Sequence, residues 1–343
     1  MKVEEKEKEK TENLMNNREE SNKKKEEVKK EDDKMEEEKD NIITKSDNNT
    51  KTINYGDLVI IYETGDSIKY FTLEKGKRFQ NKFGIFLHDD IYGKNYGSKI
   101  YDTKEGNKYI SVLSFVPNIW ERCINKMTQI LFNPDISLIM ILLNISQSSI
   151  IYESGTGSGC LSVNMSSVLS KGTGHLYTFE FNKERAEKLK DLFKFLNLDK
   201  KITITHRDVI QDGFLLDDDS VADPLHKKCG SMFIDLPSPW LVIKHAKKVL
   251  KSGAYFVSFS PCIEQVNQTM KAMKENNFIE LRMFECLYRT FCYARTTQVK
   301  MPIISKRKKG EKIEFKDVDI NVTKNKCDMR GHTGFLLFGI NKE

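Results

Sequence analysis

Four carboxylates and a run of glycines carry the chemistry of this 343-residue chain. Ile150 to Gly159 reads Ile-Ile-Tyr-Glu-Ser-Gly-Thr-Gly-Ser-Gly, an apolar run that ends at Glu153 and passes into Gly155, Gly157 and Gly159. Such glycines let a ligand lie against bare backbone, and the acid places a carboxylate at a strand tip. Leu176 to Phe181 is a second apolar run, and it ends at Glu180. A carboxylate ~20 residues or slightly more beyond a glycine loop is where a ribose diol is gripped by two hydrogen bonds. Ile202 to His206 is a third run, followed by Arg207-Asp208-Val209. The fourth ends Phe233-Ile234-Asp235-Leu236-Pro237-Ser238-Pro239-Trp240. A carboxylate, a proline-stiffened turn and an aromatic suit a flat base. Asp235 can accept from an exocyclic amine while Trp240 and the prolines shape the walls. The same residues suit a helix start, with Asp235 or Ser238 as N-cap and Pro239 in the first turn. The two are compatible, Ser238 capping while Asp235 points at substrate.

These acids need strands to hold them. Periodicity predicts strands near 149–153, 175–181, 201–206, 231–236 and 253–259, with helices near 159–170, 183–197, 239–250 and 262–275. That alternation implies an α/β domain, a parallel sheet covered on both faces, with ligands at the carboxyl ends of the strands. Two later strands are expected near 278–289 and 334–340. Residues 305–330 between them are lysine-rich and read as a mobile insertion; a shorter one interrupts at Asp217 to Lys228. Pro117 to Ile145 is helical in pattern. Within it Ile136 to Leu143, the longest apolar run, follows Asn133-Pro134-Asp135 and reads as a buried helix, far too short to span a membrane. Residues 54–115 carry a β-branched run at Leu58 to Tyr62 and turn signals at Thr64-Gly65-Asp66, Lys75-Gly76-Lys77, Asn95-Tyr96-Gly97 and Glu105-Gly106-Asn107. They suggest a small antiparallel sheet or barrel. The expected organisation is a tail over 1–50, a β domain over 51–115 and an α/β domain over 116–343.

Hydrophobic residues make up 38% of the chain, and the deficit sits at its start. Residues 1–40 hold 12 basic and 16 acidic residues and no aromatic, so they cannot bury enough apolar surface to offset ordering entropy and read as disordered. The net charge is +6 and this segment contributes −4, which leaves +10 on residues 41–343. A basic folded part suits a polyanionic partner, and also a merely solvated lysine-rich surface. Seven cysteines lack any C-x-x-C or paired histidine spacing, which argues against zinc and a disulfide framework and for a reducing compartment. The charged start shows no signal-peptide pattern.

A nicotinamide-binding loop resembles the glycine run, but G-x-G-x-x-G needs a third glycine where Cys160 stands. E-x-G-x-G-x-G resembles instead the first motif of S-adenosylmethionine (SAM) methyltransferases. Asp-Leu-Pro-Ser-Pro-Trp at 235–240 is similar to the fourth motif of the catalytic subunits of eukaryotic tRNA (adenine-58-N1)-methyltransferases. Thr128-Gln129-Ile130-Leu131, Ser258 to Val266 and Gly331-His332-Thr333-Gly334 agree, so the resemblance runs from about residue 54 to the C-terminus.

The resemblance implies a seven-stranded Rossmann-like class I methyltransferase with a small N-terminal β domain. It implies transfer of a methyl group from SAM to N1 of adenine 58 in the T-loop of tRNA. It also implies a heterotetramer with a non-catalytic paralogous subunit, and a nuclear location. By motif, Gly155, Thr156, Gly157, Ser158 and Gly159 would hold the methionine part of SAM, Glu180 the ribose with Arg185 close by, and Asp208 and Val209 the adenine; Ile119 would touch the cofactor. Asp235 would be the catalytic carboxylate beside the cofactor. Substrate contacts would fall to Gln129, Pro237, Trp240, His332 and Thr333, and no metal is implied. Two residues depart from the family pattern: Phe132 stands where relatives commonly have tyrosine, and Met127 where they commonly have a basic residue.

Pro261-Cys262 resembles the nucleophile motif of cytosine-5 methyltransferases, yet the family carries the same residues without covalent chemistry. Other readings are an inactive RNA-binding paralogue, a methyltransferase of another RNA, and a small-molecule methyltransferase. The intact glycines, Glu180 and Asp235 weigh against the first, and the basic charge and extra β domain against the last. Lys306-Arg307-Lys308-Lys309 reads as a nuclear import signal, an RNA-contacting loop or a plain solvated loop.

Overall fold

A computed structural model describes residues 52–64, 67–104, 106–124, 126–215, 229–302, 315–325 and 331–343. The expected tail, the Asp217 to Lys228 interruption and the 306–309 basic run lie outside these residues. The chain forms two compact units, divided between Ser114 and Phe115.

In the first unit the strands are β1 (Leu58–Thr64), β2 (Ser67–Thr72), β3 (Arg78–Asn81), β4 (Gly84–Leu87), β5 (Lys99–Tyr101) and β6 (Tyr109–Leu113). The order β2-β1-β6-β5 makes a four-stranded antiparallel sheet, and β3 pairs with β4 separately. Alternation sends Val59, Ile61, Ile100, Ile110 and Val112 into one core with Leu73, Phe86 and Ile91.

The second unit is built on β7 (Ile150–Ser154), β8 (His175–Glu180), β9 (Ile202–His206), β10 (Cys229–Ile234), β11 (Leu250–Ser260), β12 (Phe278–Glu285) and, after a hairpin, β15 (Phe335–Asn341). Their order is β12-β15-β11-β10-β7-β8-β9. Only β15 runs against its neighbours β11 and β12; the pairs from β11 through β10, β7 and β8 to β9 are parallel. This is the expected seven-stranded sheet. The chain moves outward from β7 to β9, then returns to lay β10 on the other side of β7. That reversal opens a crevice at the carboxyl ends of β7 and β10, the place where such sheets bind ligands.

The hydrophobic stretches explain the arrangement. Met232 and Ile234 of β10 and Phe256 of β11 are buried with Val242, Ala246, Val249, Val266 and Met273 from the covering helices. These helices are Ile243–Val249 and Ile263–Glu275; a short 3-10 turn, Pro239–Val242, precedes the first.

Three expectations need correction. Pro117 to Ile145 is not continuous helix but two pieces, Pro117–Cys123 and Asn133–Leu142. Between them the Met127 and Thr128 backbone N–H groups donate to Ser158 Oγ, at 3.0 and 3.1 Å, and not to helical carbonyls. Pro134 then starts the second helix where its missing N–H costs nothing. Part of the 305–330 segment is regular: β14 (Phe315–Asn325) pairs antiparallel with β13 (Phe291–Pro302) in its own two-stranded sheet. Ser238 makes no side-chain cap at Pro239–Val242; its carbonyl accepts the Leu241 N–H instead.

Candidate active site

A cavity of about 730 Å³ opens at the β7/β10 crevice. Gly155, Gly157, Glu180, Arg185, Asp208, Val209, Asp235, Gln129 and Pro237 all line it. Its wall also takes Thr128, Ser154, Phe181, Arg207, Ile210, Leu236, Pro261 and Gln265, to which the motifs assigned no role.

The strand tips determine where the acids stand. Ser154 pairs with Ile234 in register, and the next N–H, that of Asp235, donates to the Ser154 carbonyl at 2.9 Å. The two tips therefore leave the sheet side by side. Gly155 makes this possible. Its φ is +87°, and a Cβ there would lie 2.0 Å from the Asp235 carbonyl oxygen. Any side chain at 155 would push Asp235 out of place. Gly157 is similarly close to Thr128, whose Oγ1 would sit 2.9 Å from an added Cβ. The glycine loop and the Asp235 turn are one packed object.

Glu180 is 2% exposed and accepts three hydrogen bonds, which leaves acceptor capacity on the cavity side. One oxygen accepts from Arg185 Nη2 at 2.7 Å and from the Asn182 N–H at 2.9 Å, the other from the Gly157 N–H at 3.3 Å. This ties the second strand tip to the glycine loop. Arg185 Nε, buried in the same wall, has no partner among the described residues and offers one donor to a ligand. Asp208 spends an oxygen on the Ile210 N–H at 2.9 Å, which shapes the turn that presents Val209 and Ile210. Val209 is 4% exposed and belongs to the core as much as to the cavity.

Glu153, beneath the loop, is 1% exposed and accepts from Ser162 Oγ at 2.5 Å. Burial pushes its carboxyl up to about 7, Ser162 and Thr178 hold it back, and the charges of Asp235 and Glu180 push the same way as burial. Burial raises Asp235 to about 7 as well. Asp235 is half-buried by surface exposure, and it lines the cavity, so water there moderates the shift. A cation arriving in the cavity would favour the ionised forms of both acids.

The Asp235 turn is braced from the fifth strand's side. Gln265 Nε2 donates to the Pro237 carbonyl at 2.9 Å while its Oε1 accepts the Cys262 N–H at 3.2 Å. Cys262 itself opens the helix Ile263–Glu275, is exposed and does not line the cavity.

Other expected site residues stand apart from the cavity wall. Thr156 is buried and bonded to Thr178 Oγ1 at 2.6 Å. Ser158 holds the Met127–Thr128 backbone, and Gly159 starts the next helix against Leu189 and Phe193. These three build the loop from behind. Ile119 and Trp240 are half-buried off the wall. Thr333 bonds Asp135 Oδ1 at 3.1 Å and lines a second cavity of about 330 Å³, which Phe132 also lines. His332 meets Glu285 Oε1 at 2.6 Å through Nδ1 and the Pro261 carbonyl at 3.3 Å through Nε2. Met127 is exposed.

The large cavity suits SAM on the structure's own terms. It offers a carboxylate for a diol, an unused guanidinium donor, bare backbone at two glycines, apolar Val209, Ile210 and Phe181 for a flat ring, and nearby acids for a sulfonium. Among the described residues no group of three or more His, Cys, Asp or Glu could hold a metal.

Residues 108–341 match the family described as tRNA methyltransferase complex GCD14 subunit. The tRNA (adenine(58)-N(1))-methyltransferase catalytic subunit trmt61a of Dictyostelium discoideum is 40% identical over 245 residues, 71% of this chain and 76% of that protein. The corresponding subunit TRM61 of Candida albicans is 36% identical over 235 residues, 68% of each chain. Among solved structures, a SAM-dependent O-methyltransferase from Thermotoga maritima has a TM-score of 0.66 at 23% identity, covering 85% of this chain and 95% of its own. The tRNA (m1A58) methyltransferase TrmI from Aquifex aeolicus has a TM-score of 0.62 at 23% identity, covering 85% and 100%. At that identity both establish the fold alone.

Proposed function

Since this chain belongs to the tRNA methyltransferase GCD14 family, we propose that it is the catalytic subunit of a tRNA (adenine-58-N1)-methyltransferase that uses SAM. The observation that carries the reading is the convergence of the glycine loop, Glu180 and Asp235 on one cavity. An inactive RNA-binding paralogue would have no need of a glycine at 155 held against Asp235.

Bound SAM supplies an electrophilic methyl group. The chain would hold it with the Gly155–Gly157 backbone, Glu180 and Arg185 on the ribose side, and Val209 and Ile210 beside the adenine. N1 of neutral adenine already has a lone pair, so no base must create the nucleophile, and the task is one of positioning. The target base must leave its stack, which costs a few kcal/mol. Positive charge grows on the substrate adenine as N1 gains the methyl. Asp235, accepting from the N6 amine, stabilises that charge and can take up a proton. Pro237 and Gln129 close the wall around the base.

The family description names a complex, and we place a non-catalytic paralogous subunit in it, with a heterotetramer as the expected assembly and the nucleus as its location. The reading is tested by incubating tRNA and labelled SAM with the complex, then analysing nucleosides by mass spectrometry. N1-methyladenosine at position 58 is the expected product; label elsewhere, or none, refutes it.

A further inference from the structure

The N-terminal unit carries a feature that methyl transfer does not use. The hairpin of β5 and β6 sets Tyr101 directly opposite Tyr109 and Lys99 opposite Ser111; Ser111 in turn pairs with Tyr62 of β1. With a two-residue side-chain period, these five share one face of the sheet, while Ile100 and Ile110 point to the core. Tyr101 is 52% exposed, Tyr109 45% and Tyr62 37%. The rings of Tyr101 and Tyr109 are 5.8 Å apart and tilted by 58°, which makes an open corner and not a closed stack. Lys99 Nζ sits 4.8 Å from the centre of the Tyr109 ring. Lys104 is exposed at the same end of the hairpin. The adjacent Asp102 is 6% exposed and accepts the Lys104 and Lys108 backbone N–H groups, so it adds little negative surface.

We propose that this tyrosine–lysine face is a stacking platform for unpaired bases of the RNA substrate. The inference rests on the RNA-methyltransferase reading and adds a second contact surface on the other unit. Protruding aromatic faces flanked by lysines bind single-stranded RNA by stacking bases and tracking phosphates. A protein partner fits less well, because lysine is depleted from the cores of protein interfaces. The tilt leaves the outer face of Tyr101 open to a base, while Lys99 covers one face of Tyr109 and offers its charge to the adjoining phosphate.

The test uses the full chain, alone and in complex, with tRNA and with a single-stranded oligoribonucleotide, by fluorescence anisotropy at fixed salt. The double variant Tyr101→Ala/Tyr109→Ala should bind both RNAs ~10-fold or more weakly, and Tyr101→Phe/Tyr109→Phe should bind like the parent, because stacking needs the ring and not the hydroxyl. SAM affinity should stay unchanged in both, which reports an intact second unit. Unchanged RNA affinity in the alanine variant overturns the proposal, as does an equal loss in the phenylalanine variant. Loss of subunit association in sedimentation, with normal RNA affinity per assembled particle, would instead assign the face to a protein. Failure of the enzymatic reading would show separately, as oligoribonucleotide binding that depends on the tyrosines without N1-methyladenosine in tRNA.

Discussion

Asp235 is a costly residue to keep. Burial raises its carboxyl to about 7, so the folded chain binds its proton more tightly than the unfolded chain does. That contribution to stability is present in full only below the unfolded value of ~3.9 and is lost progressively as pH rises from there through about 7. Asp235→Asn should therefore stabilise ligand-free protein at about pH 8, by ~1 kcal/mol once cavity water is allowed for, and raise its melting temperature, with a smaller gain at about pH 5, where the unfolded carboxyl is already ionised. Melts at the two pH values decide it. The same variant and Asp235→Ala should slow single-turnover methylation by ~10²–10³ while tRNA binding changes little, because affinity comes from dispersed phosphate contacts. In the parent, kcat/KM should rise with pH through about 7, as Asp235 must be ionised to stabilise the cationic base. Cys262→Ala is the control and should stay active; a dead Cys262 variant beside an active Asp235 variant would reverse the assignment. Gln265 acts one step away. Gln265→Glu keeps an acceptor for the Cys262 N–H but sets a carboxylate against the Pro237 carbonyl. We expect kcat to fall ~10–100-fold with SAM affinity and melting temperature near parental values. Unaltered turnover would show that the turn holds itself.

At the scale of elements, much of the site could be read from sequence because each motif is local to one strand tip. Glu153, Glu180, Asp208 and Asp235 each end an apolar run, and parallel pairing brings such ends to one edge. Phe181 and Arg207 adjoin two of these acids, whereas Gln265 and Thr128 were not legible in that way. Gln265 reaches the site through a contact 28 residues back in the chain, and Thr128 through a loop fastened to Ser158. Helical periodicity likewise overran that loop, since its apolar residues Ile130 and Leu131 are buried without being helical. His332 shows how elements are tied together. Both ring nitrogens face oxygen acceptors, so the doubly protonated imidazolium alone satisfies both. The Glu285 hydrogen bond, then the Pro261 carbonyl, raise its pKa above the usual value, and the charge of Asp135 helps. The bridge between the end of β12 and the cavity wall is complete while His332 is protonated and Glu285 ionised, and is lost as pH rises through the raised value. An NMR titration should place His332 above ~6.5, and Glu285→Gln should lower it. A titration unmoved by Glu285→Gln would mean that the pair does not form in solution.

The whole molecule is modestly charged for gripping an entire tRNA. Residues 41–343 carry +10, while the first 40 carry −4. We expect the chain alone to be nearly inactive, and the complex to bind tRNA with a steeper salt dependence than the isolated chain, because more phosphates are neutralised. Full activity from a monodisperse preparation of this chain alone would contradict that. The strand order has a further outcome, during synthesis. β15 lies between β11 and β12, yet it is made last of the described strands. About 50 residues separate the end of β12 from its start, several seconds of translation at ~5–20 residues per second. Throughout that interval β11 presents an unpaired edge, and β12 has nothing to pair with. Such an edge recruits other chains readily. We therefore expect a chaperone to bind the ribosome-bound intermediate more than the finished enzyme.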